Sequence, residues 1–362
     1  MRVVIACCGL EHMKRGYESF ARELFGALSG HVEVTLCKGS GKGSPNEVVI
    51  PCLRRDFLLR FMNPQAAFRW EQITFAVALL PYLLLKRIDI VHYSEGTMGN
   101  VLARLLHLTG SRVRLLLSNG GPYHPKHFRA DILIHQVTKD ALDQAIECGV
   151  NPSRMYLAPY GIAPERFKSP ESRDVLRQRF GFPSEKFLIL SLAALNMEHK
   201  RLDYLIREVA ALDDASVILC MAGQPTSETP ELRDLAARLL PGRHTFMTLP
   251  RARILELLAA ADLFVLPSLS EGFGMVFLEA CSAGVPVVCH DSSQFQWVLG
   301  PAGIYVDMAV AGALTEKMRE LITGQEALER FSDLGKARVE NDYSWRVLIP
   351  RYLEMYTAVL GA

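Results

Sequence analysis

The chain has 362 residues, and 49% of them are apolar, which allows for two domains with sizeable cores. The 40 Lys and Arg residues almost balance the 39 Asp and Glu residues, so the net charge gives no indication of a nucleic-acid partner. The 8 cysteines form no CxxC pair, which predicts buried, reduced thiols in a cytoplasmic protein and no metal site.

Apolar strand-like runs alternate with helix-like runs along the chain, which is typical of parallel sheets covered by helices. Residues 1–6 predict a short buried strand rather than a signal peptide, because they lack a sustained apolar region. The loop from Gly9 to Gly16 leads into an amphipathic helix. It contains no GxGxxG pattern, so a dinucleotide fingerprint is not supported.

Residues 51–70 combine several arginines with aromatic and aliphatic side chains. This composition fits a peripheral membrane surface. It also fits helices that pack on the sheet with arginines at the rim, and we favour this second interpretation. Residues 73–85 are the most apolar stretch, but they contain Pro81 and are too few to span a bilayer comfortably. They predict a buried helix.

Polar residues follow several of the predicted strands. The strand predicted at 112–121 ends in a glycine turn, with Asn119 just before the turn and His124 in the polar loop beyond it. A histidine in such a loop is also commonly just solvated. A second series of strands begins near residue 187, and Lys200 lies between its first strand and the following helix.

Residues 261–290 predict a strand, a loop, a helix, a turn and a further strand. The loop contains Glu271, and Glu279 lies on the helix. Eight residues of ideal helix span about 12 Å, which is too far for two carboxylates to share a proton. The amides near Gly272 to Gly274 would point out of the helix N-terminus, which binds phosphate readily. An acceptor, a phosphate cradle and a second acceptor match the sugar, diphosphate and ribose of a nucleotide sugar.

The segment EGFGMVFLEACSAGVPVV at 271–288 closely resembles the E-x7-E signature of retaining glycosyltransferases of the GT4 type (group 1). The resemblance implies an α/β protein with the GT-B fold, in which two Rossmann-like domains have parallel sheets that face each other across a cleft. It implies an N-terminal acceptor domain at 1–165 and a C-terminal donor domain at 166–344. A closing helix at 345–362 would cross back to the first domain.

The resemblance also implies roles for individual residues. Glu271 would lie beside the donor sugar, Lys200 would neutralise the diphosphate, and Glu279 would bind the ribose hydroxyls. The other donor-binding candidates are Gly16, Asn196, Arg201, Gly272, Phe273, Gly274, Met275 and Val276.

Two departures from the family's pattern affect this assignment. The family has an arginine near the lysine, but Ala194 and Leu195 occupy the aligned positions here. Arg201 or His199 would then supply the second positive charge, or Asn196 would hydrogen-bond instead.

The second departure is at residues 118–121, where many relatives have a histidine beside the donor sugar. Asn119 takes the polar role there, or His124 swings into the cleft. Both residues are therefore candidates for the catalytic site, together with Glu271 and Lys200.

The implied function is transfer of a sugar from a nucleotide-diphosphate donor to an acceptor hydroxyl, with retention of the anomeric configuration. The acceptor would be a glycan, a lipid-linked molecule or a small molecule. We expect no metal and no cofactor, and a cytoplasmic protein that is either free or peripheral to the membrane's cytoplasmic face. One alternative is a degenerate GT-B protein that binds a nucleotide sugar or a partner without turnover. Another is a different GT-B enzyme, such as a nucleotide-sugar epimerase or a sugar phosphorylase.

Overall fold

The computed structural model describes residues 1–13, 16–121 and 123–362, which form two compact units. Unit 1 comprises Met1–Gly161 and Trp345–Ala362, and unit 2 comprises Ile162–Ser344. The units divide after Gly161, whereas the sequence placed the domain boundary after Glu165. Each unit is built around its own parallel sheet.

The described part of unit 1 contains a seven-stranded sheet in the order β3-β2-β1-β4-β5-β6-β7. Its strands are β1 (Arg2–Cys7), β2 (Glu33–Lys38), β3 (Glu47–Val49), β4 (Ile90–Tyr93), β5 (Arg114–Asn119), β6 (Leu133–Gln136) and β7 (Met155–Leu157). Its first helices are α1 (Gly16–Leu28), α2 (Arg55–Leu58), α3 (Pro64–Leu85), α4 (Gly96–Leu108) and α5 (Lys139–Glu147). Every strand pair in this sheet is parallel.

Unit 2 contains a six-stranded parallel sheet in the order β10-β9-β8-β11-β12-β13. Its strands are β8 (Phe187–Leu192), β9 (Val217–Ala222), β10 (His244–Met247), β11 (Leu263–Leu266), β12 (Val287–His290) and β13 (Gly303–Val306). Its helices are α6 (Arg173–Phe180), α7 (Leu202–Ala210), α8 (Thr229–Leu239), α9 (Arg251–Ala260), α10 (Met275–Ser282), α11 (Ser293–Leu299), α12 (Ala313–Thr323) and α13 (Gln325–Arg338). The two parallel sheets confirm the predicted pair of Rossmann-like domains.

Both sheets have a switch point, where the strand order reverses beside the first strand of the unit. In unit 2 this point lies between β8 and β11, where Leu263 of β11 pairs with Ile189 of β8. Ligands of open α/β sheets bind outside the carboxyl ends of the strands at such points. The loops that follow β8 and β11 are therefore the place to look for a site.

Helix α3 is longer than the sequence analysis indicated and is not fully buried. Asn63 caps its start by accepting a hydrogen bond from the amide of Ala66 (2.8 Å), and Pro64 occupies the first helical position. The basic and aromatic region therefore contributes the first turns of a 22-residue helix. The prediction of a buried helix at 73–85 is wrong for one face, because Val77, Leu84 and Leu85 are exposed.

A C-terminal helix, α14 (Trp345–Gly361), belongs to unit 1 and packs beside α1, β4 and β5. The hydroxyl of Tyr356 lies 2.8 Å from Nδ1 of His92, and Nε2 of His92 lies 3.1 Å from Nδ1 of His135. Nε2 of His135 donates to the carbonyl oxygen of Ala158 at 2.6 Å. That last bond fixes the donor and acceptor in each of the other hydrogen bonds: His92 donates to His135, and Tyr356 donates to His92. Hydrogen bonds through two neutral imidazoles therefore connect α14 to the sheet.

Because of these histidines, we expect the free energy of unfolding to fall in mild acid. Burial lowers the pKa of His135 to about 4, and burial together with His135 holds the pKa of His92 well below its ordinary value. In the unfolded chain both histidines bind protons near pH 6.5, whereas in the folded chain they do not. Their contribution to the free energy of unfolding is therefore fully present above that pH and declines below it. We expect a loss of roughly 3 kcal/mol between pH 7.5 and 5.5 from the two groups. Urea unfolding at the two pH values measures it.

The matched comparison is His135→Gln against His107→Gln. His135→Gln removes one titrating group from the core and should reduce the pH dependence by about half of the two-histidine contribution. His107 is exposed at the end of α4, so His107→Gln should leave the pH dependence unchanged. Equal pH dependence in wild type and His135→Gln would contradict the prediction.

Candidate active site

The strand β11 is wholly buried and leads through a loop into α10. At the end of this loop Gly274 has φ +84°, in the left-handed region, and forms the N-cap of α10. A Cβ at this position would lie 2.5 Å from a ring carbon of Phe277. Only glycine fits both the backbone angle and the close ring. The turn places the first amides of α10 at the carboxyl end of the strand.

Glu271 lies in this loop and forms an ion pair with Lys200. Nζ of Lys200 is 2.6 Å from Oε1 and 2.7 Å from Oε2 of Glu271, and both side chains are largely buried. Lys200 comes from the loop between β8 and α7. Its amide donates to Oδ1 of Asn196 at 2.8 Å, which fixes the loop. The structure thus brings together Glu271, Lys200 and Asn196 from the sequence-based candidates.

Two further contacts hold the loop before α10. Nε2 of Gln294 donates to the carbonyl oxygens of Glu271 (2.7 Å) and Gly272 (2.8 Å). The ring of Phe273 is buried and packs edge-on against Tyr343, so this residue can offer a ligand only its backbone. Met275 and Val276 begin the helix and are half-buried. Gln294 could not be predicted from the sequence, because an isolated glutamine belongs to no motif.

Arg201 has a role within the fold. It occupies the N-cap of α7 with φ +50°. Its Nη1 donates to the carbonyl oxygen of Met308 at 2.7 Å, and its guanidinium lies 4.5 Å from the ring centroid of Tyr204. The arginine therefore links the start of α7 to the segment after β13. His199, the other candidate for a second charge, is exposed.

Glu279 is paired with an arginine that the sequence analysis did not identify. Nη1 of Arg251 lies 2.9 Å from Oε2 of Glu279, and Nη2 contacts Oε1. Arg251 is the first residue of α9, directly after Pro250. Such two-point pairs between arginine and a carboxylate fix the orientation of both groups. No sequence motif links the two residues, so only the fold reveals the contact.

The remaining candidates lie in unit 1. Gly16 begins α1, and nothing lies within 4 Å of the Cβ that a larger residue would add there. Asn119 ends β5 and is buried; its Nδ2 donates to Oε1 of Gln136 at 2.9 Å, while its Oδ1 has no hydrogen-bond partner among the described residues. His124 is exposed, and its Nδ1 accepts a hydrogen bond from the amide of Lys126 at 3.2 Å. Lys14 and Arg15 of the loop before Gly16 lie outside the described residues.

All the cysteines are unpaired thiols, and most are buried. Burial raises the pKa of Cys37, Cys220 and Cys281 to about 12, which makes them unreactive. Among the described residues, no group of three or more His, Cys, Asp or Glu is arranged to hold a metal ion. None of the described helices is both long enough and apolar enough for a bilayer crossing.

Residues 172–338 match the family model "Glycosyl transferases group 1". The matched range lies entirely within unit 2. The matched range contains Lys200, Glu271, Glu279 and Arg251, so the whole ion-paired site lies within it.

Several curated proteins are similar to this chain. A MMP alpha-(1->4)-mannosyltransferase of Mycolicibacterium hassiacum is 26% identical over 61% of this chain and 52% of its own length. A GDP-mannose-dependent monoacylated alpha-(1-6)-phosphatidylinositol monomannoside mannosyltransferase of Corynebacterium glutamicum is 29% identical over 55% of each chain. The lipopolysaccharide glucosyltransferase WaaG of Escherichia coli is 32% identical over 38% of this chain and 37% of its own length. The chain spans only about half the length, or less, of these relatives.

Solved structures resemble the chain over almost its full length. Sucrose-phosphate synthase of Thermosynechococcus elongatus has a TM-score of 0.82 at 16% identity and covers 99% of both chains. The Anabaena HepE complex with UDP-glucose has a TM-score of 0.80 at 16% identity, covering 99% of this chain and 100% of the other. These likenesses show that the chain has the GT-B fold.

A glycine pair tests the turn that forms the site. Gly274 and Gly312 are both N-caps with φ +84°, but the space around a Cβ at Gly312 is open. Gly312→Ala should cost about 1–2 kcal/mol of unfolding free energy for the left-handed alanine. Gly274→Ala should cost roughly 2–4 kcal/mol, because the methyl group also displaces the ring of Phe277. Denaturant unfolding measures both, and equal losses would show that the ring does not restrict this position.

Proposed function

We propose that this protein transfers a sugar from a nucleotide-diphosphate donor to an acceptor hydroxyl, with retention of the anomeric configuration. The observation that supports the proposal most strongly is the contact between Lys200 and Glu271 beside the N-terminus of α10. A cation for the diphosphate and a carboxylate for sugar hydroxyls lie side by side there. The mannosyl- and glucosyltransferases among its relatives, and the UDP-glucose complex of HepE, agree with such a donor.

In this proposal unit 2 binds the donor. The diphosphate lies against the first amides of α10, where Gly274 offers no capping side chain and the helix dipole favours an anion. Lys200 moves its contact from Glu271 to the phosphates, and Glu271 then accepts hydrogen bonds from the sugar. Glu279 accepts hydrogen bonds from the ribose. Asn196 keeps the Lys200 loop in place, while Arg201 fixes the start of α7.

The transfer itself breaks the bond between the anomeric carbon and the phosphate oxygen and forms a bond to the acceptor oxygen on the same face. The leaving phosphate oxygen receives the bonding electron pair and takes the acceptor proton. Negative charge builds up on the diphosphate, where Lys200 and the helix N-terminus stabilise it. No protein base, metal ion or cofactor is part of the proposal. Unit 1 binds the acceptor, and its Asn119 and His124 are the candidates for the polar catalytic group beside the donor sugar.

The absence of the family's arginine, with Ala194 and Leu195 in its place, favours a second candidate: a protein that binds a nucleotide sugar without turnover. An epimerase is a further alternative, since it would convert the nucleotide sugar without an acceptor. A binding protein has no turnover to lose, and an epimerase leaves the nucleotide attached to its product. Product analysis therefore separates the three.

The first test combines ligand binding with turnover. We expect UDP, GDP or ADP, or one of their sugar conjugates, to raise the melting temperature without added metal, because a ligand of the native state stabilises it. With the conjugate that binds, Lys200→Gln should lower kcat by about 100- to 1,000-fold. Glu271→Gln should lower kcat by a similar factor while the free nucleotide still binds.

The matched control is Glu198→Gln, in the same loop as Lys200 but exposed. It should retain wild-type turnover. A folded wild-type protein that binds none of these nucleotides would contradict the donor site. Binding without any turnover would favour the second candidate.

We also propose that unit 1 contacts the cytoplasmic face of an anionic membrane. Trp70, Val77 and Leu84 are exposed at heptad spacing along one face of α3, which is about 33 Å long. Phe57 and Phe61 are exposed just before this helix, and Phe61 is 71% exposed. Helix α3 therefore has an apolar face that nothing in the described residues of the chain covers.

Cations lie at both ends of this face. Arg60 and Arg69 are near its start, Lys86 and Arg87 follow its end, and none of the four has an ion-pair partner among the described residues. Two copies of α3 packed antiparallel would bring cations against cations, so a second copy is disfavoured. An anionic lipid surface attracts each such residue by about 1 kcal/mol. Relatives named for lipid-linked acceptors agree with this location.

Vesicle sedimentation tests the membrane contact. The protein should bind phosphatidylglycerol vesicles and not phosphatidylcholine vesicles. Phe61→Ser with Trp70→Ser should remove most of this binding, because both aromatic side chains would enter the interface. The control Val310→Ser removes an apolar side chain of unit 2 that is 53% exposed and should change nothing. Equal binding to both kinds of vesicle, or no effect of the double substitution, would contradict the proposal.

A further inference from the structure

The carboxylate of Glu279 has one charged partner. Arg251 reaches it with both terminal nitrogens, and no other donor among the described residues contacts it. The Glu279 side chain is only 7% exposed, whereas that of Arg251 is 41% exposed. The pair therefore lies at the edge of the protein, with the carboxylate anchored inside and the guanidinium towards solvent.

Arg251 is itself held in place from two sides. Its backbone starts α9, and its guanidinium lies 5.9 Å from the ring centroid of Phe167, which is buried. A cation near an aromatic ring is attracted by the negative face of the ring. The arginine is thus a supported group, and it can fix the plane of the carboxylate that it binds.

The carboxylate retains acceptor capacity after this pairing. An ionised carboxylate offers about four lone-pair sites, and the two-point contact with Arg251 uses one on each oxygen. One further site on each oxygen remains. The 2′- and 3′-hydroxyls of a ribose are two adjacent donors, so they match two adjacent acceptors whose orientation is fixed.

We propose that Arg251 is a positioning residue that orients Glu279 to accept hydrogen bonds from both ribose hydroxyls, and that it thereby sets a preference for ribonucleotides over 2′-deoxyribonucleotides. The inference rests on the proposed donor site. It adds a residue and a selectivity to that site. Glu279, oriented by its ion pair with Arg251, binds the 2′-hydroxyl that distinguishes ribose from deoxyribose.

Calorimetric titration of the full-length protein tests this with UDP, GDP and ADP and their 2′-deoxy forms. For the base that binds, the wild type should bind the deoxy form about 10- to 100-fold more weakly, because a hydrogen bond to a charged acceptor is lost. Arg251→Gln should reduce this ratio of dissociation constants to below about threefold, mainly by weakening the binding of the ribonucleotide. Arg251→Lys should give an intermediate ratio, since lysine keeps the charge but not the two-point contact.

The control is Arg253→Gln, on the same helix, with a side chain that is 40% exposed and pairs with Glu256. It should keep the wild-type ratio. A purely structural role for Arg251 would weaken both forms of the nucleotide equally and leave the ratio unchanged, which would overturn the inference. A larger ratio in Arg251→Gln would overturn it too, because Arg251 would then compete with the ribose.

The outcomes separate this inference from the proposed function. If the wild type binds a nucleoside diphosphate without any ribose preference, the inference fails and the donor site stands. If it binds none of the three bases, the donor site itself fails. Circular dichroism checks that each variant is folded. If Arg251→Gln does not fold, a decreased ratio in Arg251→Lys supports the inference, and an unchanged ratio overturns it.

Discussion

Two ion pairs flank the start of α10, and the left-handed backbone at Gly274 is what allows both of them. The turn starts the helix immediately after the β11 loop, so Glu271 remains in the loop beside Lys200 while Glu279 lies in the helix beside Arg251. A side chain at Gly274 would meet the ring of Phe277 and displace it. The two basic partners come from the β8–α7 loop and the start of α9, so three segments of the chain meet beside this turn.

The pairing also determines the charge that a ligand meets. Two unpaired carboxylates near a helix N-terminus would repel a diphosphate. A cation close to each carboxylate offsets this repulsion, and it does so more strongly the shorter the distance between the two charges. Here each carboxylate has its own cation, so the local charges balance and the positive end of the helix dipole remains. An anion can therefore approach the helix start, and when Lys200 turns to it, the sugar hydroxyls replace Lys200 as the hydrogen-bond donors to the Glu271 carboxylate.

The sequence predicts the architecture well because alternating apolar runs are a local signal, and parallel sheets follow from them. It does not predict the strand order, which depends on the direction of each crossover. Helices at 51–70 and at 73–85 were expected, but not that one continuous helix begins at Pro64, although Asn63 and Pro64 mark this boundary. At the site, Glu271 and Lys200 could be identified through a motif. Arg251 could not, because its pairing with Glu279 is a property of the packed helices.

A third buried ion pair in unit 2 shows how a purely structural pair differs from these two. Arg177 pairs with Asp262, and its other nitrogens donate to the carbonyl oxygens of Ala260 (3.0 Å), Ser184 (2.9 Å) and Lys186 (3.1 Å). Asp262 also accepts hydrogen bonds from a further arginine and a backbone amide, so this network is closed. The carboxylates of Glu271 and Glu279 each have a single cationic partner and retain lone pairs. Because a buried ion pair by itself adds little stability, incomplete networks of this kind indicate groups that are kept for a ligand.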